Sequence, residues 1–521
     1  MRHDIPADIS VFKTIIENDY LYIDKTKYIY DVARRASGSF FLSRPRRFGK
    51  SLFVSTLYEL FRGNRELFKG LWIDSSDYDW QSYPVIRIDF SRYRIRNVTD
   101  IENSIWRQFN RIAKDNHVSI DRDSPDVMFA ELIYELYDAY DGQQVVILVD
   151  EYDKPIIDHL EDIEEAKRIR DALKGFYTIV KSMQEYIRLV FITGISKFSK
   201  VSIFSELNNL TDLTMKNWFA TSLGITEEEL RTCFADYIPD FAQKEGLTNE
   251  ALLEKIRHQY NGFCFAGDAQ TVYNPFSTMQ LFYAQQFQHY WFESGTPSFL
   301  IRKIRNQNYR IEELQEREIY EAAFSVYDIE NLAILPLLFQ TGYLTIKSYD
   351  KEKELYKLYY PNHEVEQSFL IHILDAYSQF DHGISMTHLW RLIDALKAHN
   401  LQEFFVVLKV FFANINYALH VKNEKFYQTI FHVIFTLIGL QIHAEEKTND
   451  GRIDAVIDLE NHIYIFEFKL DGTAADALAQ IKKKEYFQKY WLKGKPITII
   501  GVNFDTKTRS VGEWLPEEVK S

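Results

Sequence analysis

The sequence predicts an α/β chain of three parts: a domain on a mostly parallel sheet, a mainly helical middle region, and a smaller C-terminal α/β domain. Three observations predict it. Short apolar runs at Ser39–Leu42, Val85–Ile88, Val145–Val149 and Leu189–Ile192 alternate with longer helix-like segments such as Ser51–Phe61 and Val127–Tyr140. Strands alternating with helices build a parallel sheet covered on both faces. From Thr226 to Lys422 the pattern is mainly helical, and from Asn423 the order becomes helix, three strands, helix, strand.

A length of 521 residues corresponds to about three domains at ~100–200 residues each. The expected boundaries are 1–225, 226–420 and 421–521. Hydrophobic residues make up 46% and aromatic residues 15%, which favours dense cores over disorder. The net charge of −14 argues against a protein that coats nucleic acid; such contact must come from a local patch or through metal ions. Two cysteines, Cys233 and Cys264, exclude a disulfide framework and any multi-cysteine zinc site. The start, MRHDIPADIS, has no apolar core of a signal peptide. The longest apolar stretch, Thr429 to Ile442, contains His432 and Gly439 and is too short for a bilayer, so it reads as a buried helix. A cytoplasmic protein without a membrane partner is expected.

Taken in order, the first strand leads into Ser43-Arg44-Pro45-Arg46-Arg47-Phe48-Gly49-Lys50-Ser51, and a helix follows. This is the setting of a phosphate-binding loop, and it makes the domain P-loop NTPase-like. Backbone N–H groups of Arg46, Arg47, Phe48 and Gly49 and the helix N-terminus cradle phosphates. Lys50 reaches the outer ones, and the Ser51 hydroxyl helps hold Mg²⁺. The generic pattern begins with glycine; Arg44 stands there instead.

The third strand ends in Asp150-Glu151. An apolar strand closing on two acids suits a Mg²⁺-binding Asp150 and a water-polarising Glu151. The fourth ends in Thr193-Gly194-Ile195-Ser196, where Thr193 or Ser196 is placed to sense the γ-phosphate. In the middle region, Thr226 and Glu229 form a capping-box pattern. A strand pair, Gly342–Ile346 and Lys357–Tyr360, interrupts the helices.

In the C-terminal part, Gly451-Arg452-Ile453-Asp454 leads into the strand Ala455–Leu459, and Ile463–Lys469 follows. Side chains two apart on a strand share a face, so Glu467 and Lys469 point one way and Phe466 and Phe468 the other. With Asp454 they suit a Mg²⁺ site that orients water, to which Glu424 on the preceding helix adds a further acid; Glu445 is the competitor. A helix from Ala474 to Tyr490 follows, carrying Gln480, Lys482, Lys483, Lys484 and Lys489, then the strand Ile497–Val502. The lysines suit a nucleic-acid backbone. The order α-β-β-β-α-β is that of a PD-(D/E)XK restriction-endonuclease-like core.

These residues resemble a bacterial family of AAA-ATPase-like proteins with a PD-(D/E)XK nuclease-superfamily domain at the C-terminus. The likeness covers nearly the whole chain. Tyr22-Ile23-Asp24-Lys25-Thr26, the arginine-rich loop Arg44–Ser51, Asp150-Glu151-Tyr152-Asp153, and the segment Phe204-Ser205-Glu206-Leu207-Asn208-Asn209-Leu210 resemble its N-terminal motifs. Tyr273-Asn274-Pro275-Phe276-Ser277, Gln340-Thr341-Gly342-Tyr343-Leu344 and Pro361-Asn362-His363-Glu364-Val365 resemble its middle motifs. The resemblance implies ATP and Mg²⁺ as cofactors and DNA or RNA as the partner of the C-terminal domain. It leaves the biological role open. The expected function is an ATP-regulated, metal-dependent nuclease. One rival is an ATP-dependent switch whose nuclease-like domain is catalytically silent; another is a plain nuclease with a vestigial nucleotide site.

Overall fold

A computed structural model describes residues 2–35, 37–197, 210–293, 298–306, 311, 317–325, 333–377, 382–414, 424–442, 455–485, 487–505, 507–508 and 510–519. The chain divides into two compact units, one of residues 1–295 and 316–365, the other of residues 296–315 and 366–521.

The first unit is built on five parallel strands, β1 (Ser39–Ser43), β2 (Val85–Asp89), β3 (Val145–Asp150), β4 (Ile187–Gly194) and β5 (Leu210–Asp212), ordered β2-β3-β4-β1-β5. The central β1 and β3 are buried along their whole length. That is why they read as unbroken apolar runs and not as alternation. β5 is three half-buried residues at the sheet edge, too short and polar to read as a strand.

The helix Lys50–Phe61 packs Phe53, Val54, Leu57 and Leu60 into the same core as Phe40, Leu42, Leu148 and Phe191. Fully burying such a side chain contributes roughly 1.5–3 kcal/mol. Gly49, at φ +88°, turns the chain from β1 into this helix. An L side chain rarely adopts that conformation.

A second core in this unit gathers Leu230, Phe234, Phe241, Leu252, Ile256, Tyr260 and Phe282 from short helices. It also takes in Leu21, Ile23 and Ile225. The expected capping box is present: Thr226 accepts from the Glu229 N–H, and Glu229 accepts from the Thr226 N–H. The expected strand pair is β7 (Thr345–Asp350) against β8 (Leu355–Tyr359), and a third short strand, β6 (Glu318–Tyr320), joins it.

The second unit carries a four-stranded sheet in the order β12-β11-β10-β9: β9 (Ala455–Asp458), β10 (Ile463–Leu470), β11 (Ile497–Asp505) and β12 (Ser510–Val519). One face packs Val456, Ile463, Ile465, Ile497 and Ile499 with Ile481 of the helix Ala474–Lys483. A Cβ at Gly501 would collide with the Ala474 carbonyl, so glycine sets that close approach. On the other face Phe466 lies 5.7 Å from Phe404 and 4.9 Å from Phe435, and Phe468 lies 4.3 Å from Phe431.

Two of the three expected strands between helices are β9 and β10. The chain between the helix Glu424–Ile442 and β9 lies outside the described residues. β12 was not expected. The helix expected to reach Tyr490 ends at Lys483. Glu485 turns left-handed at φ +50°, and a 3-10 turn, Gln488–Lys493, brings Tyr490 back into the core. No helix among the described residues is long and apolar enough to cross a membrane.

Candidate nucleotide site and nuclease-like site

Three strand ends and one helix start build the nucleotide site. Lys50, the first residue of its helix, is nearly buried. Its Nζ donates to the Pro45 carbonyl at 3.2 Å and stands 3.5 Å from Glu151. Burial, followed by the Glu151 charge, raises the Asp150 carboxyl to about 6, opposed by neighbouring Ser51 and Lys50. The Asp150 Oδ1 oxygen is buried with no hydrogen-bond partner. A buried oxygen lacking a partner beside a serine hydroxyl fits a hard divalent cation.

Among the described residues no group of three or more His, Cys, Asp or Glu is arranged to hold a metal. A cation here would take Ser51 and Asp150 from the protein and its remaining oxygens from water and phosphate.

Glu151 has φ +52°, a left-handed conformation that costs a non-glycine residue about 1–3 kcal/mol. It follows the end of β3 and faces Lys50. Asp153 is fully buried and accepts from the N–H of Ile195 at 3.0 Å and from the N–H and Oγ of Ser196 at 2.6 Å. Tyr152 donates to the Ser196 carbonyl at 2.7 Å. These bonds fix the end of β4 to the end of β3. Thr193 is buried and donates to the Leu42 carbonyl at 2.7 Å, a bond across the β4–β1 pair. Both candidate sensors, Thr193 and Ser196, are thus held by bonds within the sheet and its connections.

Arg44, where the generic loop has glycine, is a buried structural residue. Its guanidinium donates to the carbonyls of Ser43 at 2.9 Å and Thr214 at 2.7 Å, and lies 4.2 Å over the Phe265 ring. Burial lowers it to about 9, opposed by Asp212. Arg47 is left-handed at φ +64°; it lies 4.4 Å over Phe276 and 4.0 Å from Asp8.

Arg46 to Ser51 and Glu151 border a cavity of about 610 Å³, within the range of small-molecule sites. Its lining also includes the apolar side chains of Ile15, Leu21, Ile23, Leu223, Ile225 and Met279. The cavity therefore combines the cationic loop residues with apolar surface.

Sequence reasoning missed how the middle motifs meet this loop. Trp291 donates its indole N–H to the Arg46 carbonyl at 3.3 Å. Its own backbone N–H donates at 2.8 Å to the buried carboxylate of Glu364, which also accepts from Ser277 at 2.9 Å. Phe48 packs edge-on against Phe263 at 4.8 Å and Phe265 at 5.2 Å. Gln340 accepts from the Lys197 N–H at 2.9 Å. The clustering of these motifs in one sequence was the signal; their common target needed coordinates. Asp89 was missed too. It ends β2 in register with Asp150 and adds a third acid to the rim.

In the second unit, Glu467 and Lys469 share a face of β10, as expected, with Nζ 3.7 Å from Oε1. Gln480 bridges them: its amide N–H donates to Glu467, and its Oε1 accepts from Lys469 at 2.6 Å. Only one amide orientation satisfies both partners. Glu467 is 3% exposed. β9 begins opposite Phe466, the residue before Glu467. Asp454, which precedes β9, lies outside the described residues, as does Glu445. Glu424 begins the helix Glu424–Ile442; its side chain is not described. One carboxylate of the expected metal set is therefore in place, with a lysine and an amide around it.

Residues 6–204 match a family model described as a predicted AAA-ATPase, and residues 422–514 match one of the PD-(D/E)XK nuclease superfamily. An uncharacterized protein in the vnfD 5' region of Azotobacter chroococcum mcd 1 is 36% identical over 529 residues, covering 99% of both chains. The solved Aeropyrum pernix ORC2 protein (ADPNP-ADP complexes) is 10% identical, with a TM-score of 0.24 over 68% of this chain and 89% of that one.

Proposed function

The chain belongs to the family that joins a predicted AAA-ATPase to a C-terminal PD-(D/E)XK nuclease-superfamily domain, and on that premise we propose that it binds and hydrolyses ATP to control a metal-dependent nuclease acting on nucleic acid in the cytoplasm. The observation that carries the ATP half is the meeting of Lys50, Ser51 and Glu151 on the lining of a cavity of about 610 Å³, with buried Asp150 beside them.

Each residue has a part in that reading. Lys50 neutralises the outer phosphates as a point charge. Backbone N–H groups of Arg46 to Gly49 and the helix start hold the inner ones. Mg²⁺, held by Ser51 and Asp150, would offset charge on the β- and γ-oxygens. Glu151, held close by its left-handed backbone, accepts a proton from water as it attacks. Asp153 positions the end of β4 and is not itself the base.

In the C-terminal domain, Asp454 and Glu467 would hold a divalent ion. Lys469 would orient the attacking water or offset phosphate charge, and Gln480 positions Glu467 and Lys469. A second reading, a silent domain that only binds nucleic acid or a partner, has its own observation: Glu467 is nearly buried and engaged by Gln480 and Lys469.

The test measures ATP turnover with Mg²⁺, and cleavage of single-stranded and duplex DNA and RNA with Mg²⁺ or Mn²⁺, with and without ATP. Turnover together with ATP-dependent cleavage supports the first reading. Turnover without cleavage under any condition supports the second. Absence of nucleotide binding overturns both.

A further inference from the structure

Residues 482–495 hold six lysines against one glutamate, in a chain whose net charge is −14. The segment starts at the end of the helix that carries Gln480. Lys483 lies three residues beyond Gln480, on the same helix face, so a cation stands one step from the amide that bridges Glu467 and Lys469.

The rest of the segment is a braced projection. Lys493 and Lys495 both bond to Asp458 at the end of β9, at 2.5 and 2.8 Å. Lys482 bonds to Glu517 at 2.5 Å. Gly494, left-handed at φ +64°, closes the 3-10 turn, and Tyr490 anchors it in the core. These bonds occupy three lysines in bracing. Lys483 and Lys489 remain exposed. At the tip Trp491 is 45% and Leu492 fully exposed. A tip that exposes a large aromatic and a leucine on a braced turn has an apolar surface to offer a partner.

We propose that this projection is a landing site for single-stranded nucleic acid, with a base stacked on Trp491 beside Leu492 and the backbone running over Lys489 and Lys483 toward Glu467. The proposal deepens the nucleic-acid reading of the C-terminal domain and rests on it, but it concerns binding and not cleavage. An exposed ring flanked by spaced cations matches a strand whose bases are unstacked, since every base has a face to stack and every linkage a charge to meet. A duplex hides its base faces. One tryptophan and one leucine give too little apolar area to seat the domain in a lipid surface. The spacing of cations along the segment from Lys489 back to Lys483, one helical step from the Gln480 bridge, favours a chain-like polyanion.

The test is fluorescence anisotropy of the full chain, without divalent ions, on labelled oligothymidylate, oligouridylate and a DNA duplex. Anionic vesicles form a separate arm, and sedimentation reports oligomeric state. Trp491→Ala is expected to weaken single-strand affinity about fivefold to a hundredfold, and Trp491→Phe to restore most of it. Leu492→Glu, at a fully exposed side chain, is expected to weaken binding without changing the melting temperature. Lys483→Ala and Lys489→Ala are each expected to lower the salt slope by about 0.7.

Wild-type affinity in both Trp491→Ala and Leu492→Glu overturns the landing site and leaves the nucleic-acid reading standing. Absence of nucleic-acid binding by the wild type overturns both. Preference for duplex, binding to vesicles in place of oligonucleotides, or a change of oligomeric state in the Leu492 variant assigns the tip to another partner.

Discussion

The ammonium of Lys50 stands 3.5 Å from the carboxylate of Glu151, and both side chains are largely shielded from water. In the proposed function, the residue that would receive the outer phosphates therefore also holds the residue that would activate water. Phosphate oxygens compete with Glu151 for the same cation, and they carry more charge. Nucleotide entry would then draw Lys50 away and leave Glu151 available as a base. Binding and activation would be linked through one lysine.

Lys50→Ala is expected to weaken ATP binding by about 1.5–3 kcal/mol, the scale of hydrogen bonds to a charged group. The substitution also leaves Glu151 without its cation, facing the incoming phosphates. Calorimetry on mutant and parent measures the difference. Equal affinities would remove Lys50 from the site.

Glu151→Gln should slow ATP hydrolysis at least a hundredfold, on the scale of losing a positioned base. ATP affinity should stay level or rise, because the rival for Lys50 has lost its charge. Single-turnover kinetics beside equilibrium titration separates the two effects. A variant that hydrolyses normally would move the base to another rim acid, Asp89 being in register with Asp150.

Much of this site is legible from sequence because parallel strands deliver their C-terminal ends to one edge of the sheet. β1 ends before the loop and β3 ends in Asp150, so their apolar runs point to the site without coordinates. Thr193 sits at such an end as well, yet its hydroxyl bonds to Leu42 across the sheet, a partner that no local pattern reveals. Arg44 could not be read as structural either, because its acceptors Thr214 and Phe219 lie about 170 residues away. In the second unit, period-two alternation on β10 placed Glu467 beside Lys469. The Gln480 bridge depends on how the following helix crosses the sheet, which is set by Gly501.

Gly342 tests the contact between the middle region and the phosphate-binding loop. It has φ +89°, and an added Cβ would come within 2.8 Å of Pro45 and 3.2 Å of Trp291. Gly246 shares the left-handed backbone, at φ +68°, with nothing within 4 Å. Alanine costs roughly 1–2 kcal/mol of backbone strain at either site. Both variants should melt earlier. Only Gly342→Ala should also lose ATP affinity, because it alone pushes on the loop. Equal ATP affinity in the two variants would separate the middle motifs from nucleotide binding.

The C-terminal site gives the prediction that divides the two functional readings. Lys469→Ala and Asp454→Ala should abolish metal-dependent cleavage if the domain is a nuclease, since each removes a group facing the scissile phosphate or its metal. Gln480→Ala should act differently. Gln480 holds Glu467 and Lys469 in place without supplying charge, so its loss should lower metal affinity or activity about 10–100-fold and leave residual cleavage that excess Mn²⁺ partly restores. Gln480→Glu is the sharper variant. It sets a second carboxylate against nearly buried Glu467, and two like charges at that distance favour a shared proton or a bound cation. That variant should need more metal at low pH than the parent and approach it as the pH rises. Cleavage rates over a metal-by-pH grid measure this. A Gln480→Ala enzyme matching the parent in rate and metal requirement would make the bridge a packing feature. Loss of all cleavage in the parent under every condition would give the domain over to binding alone.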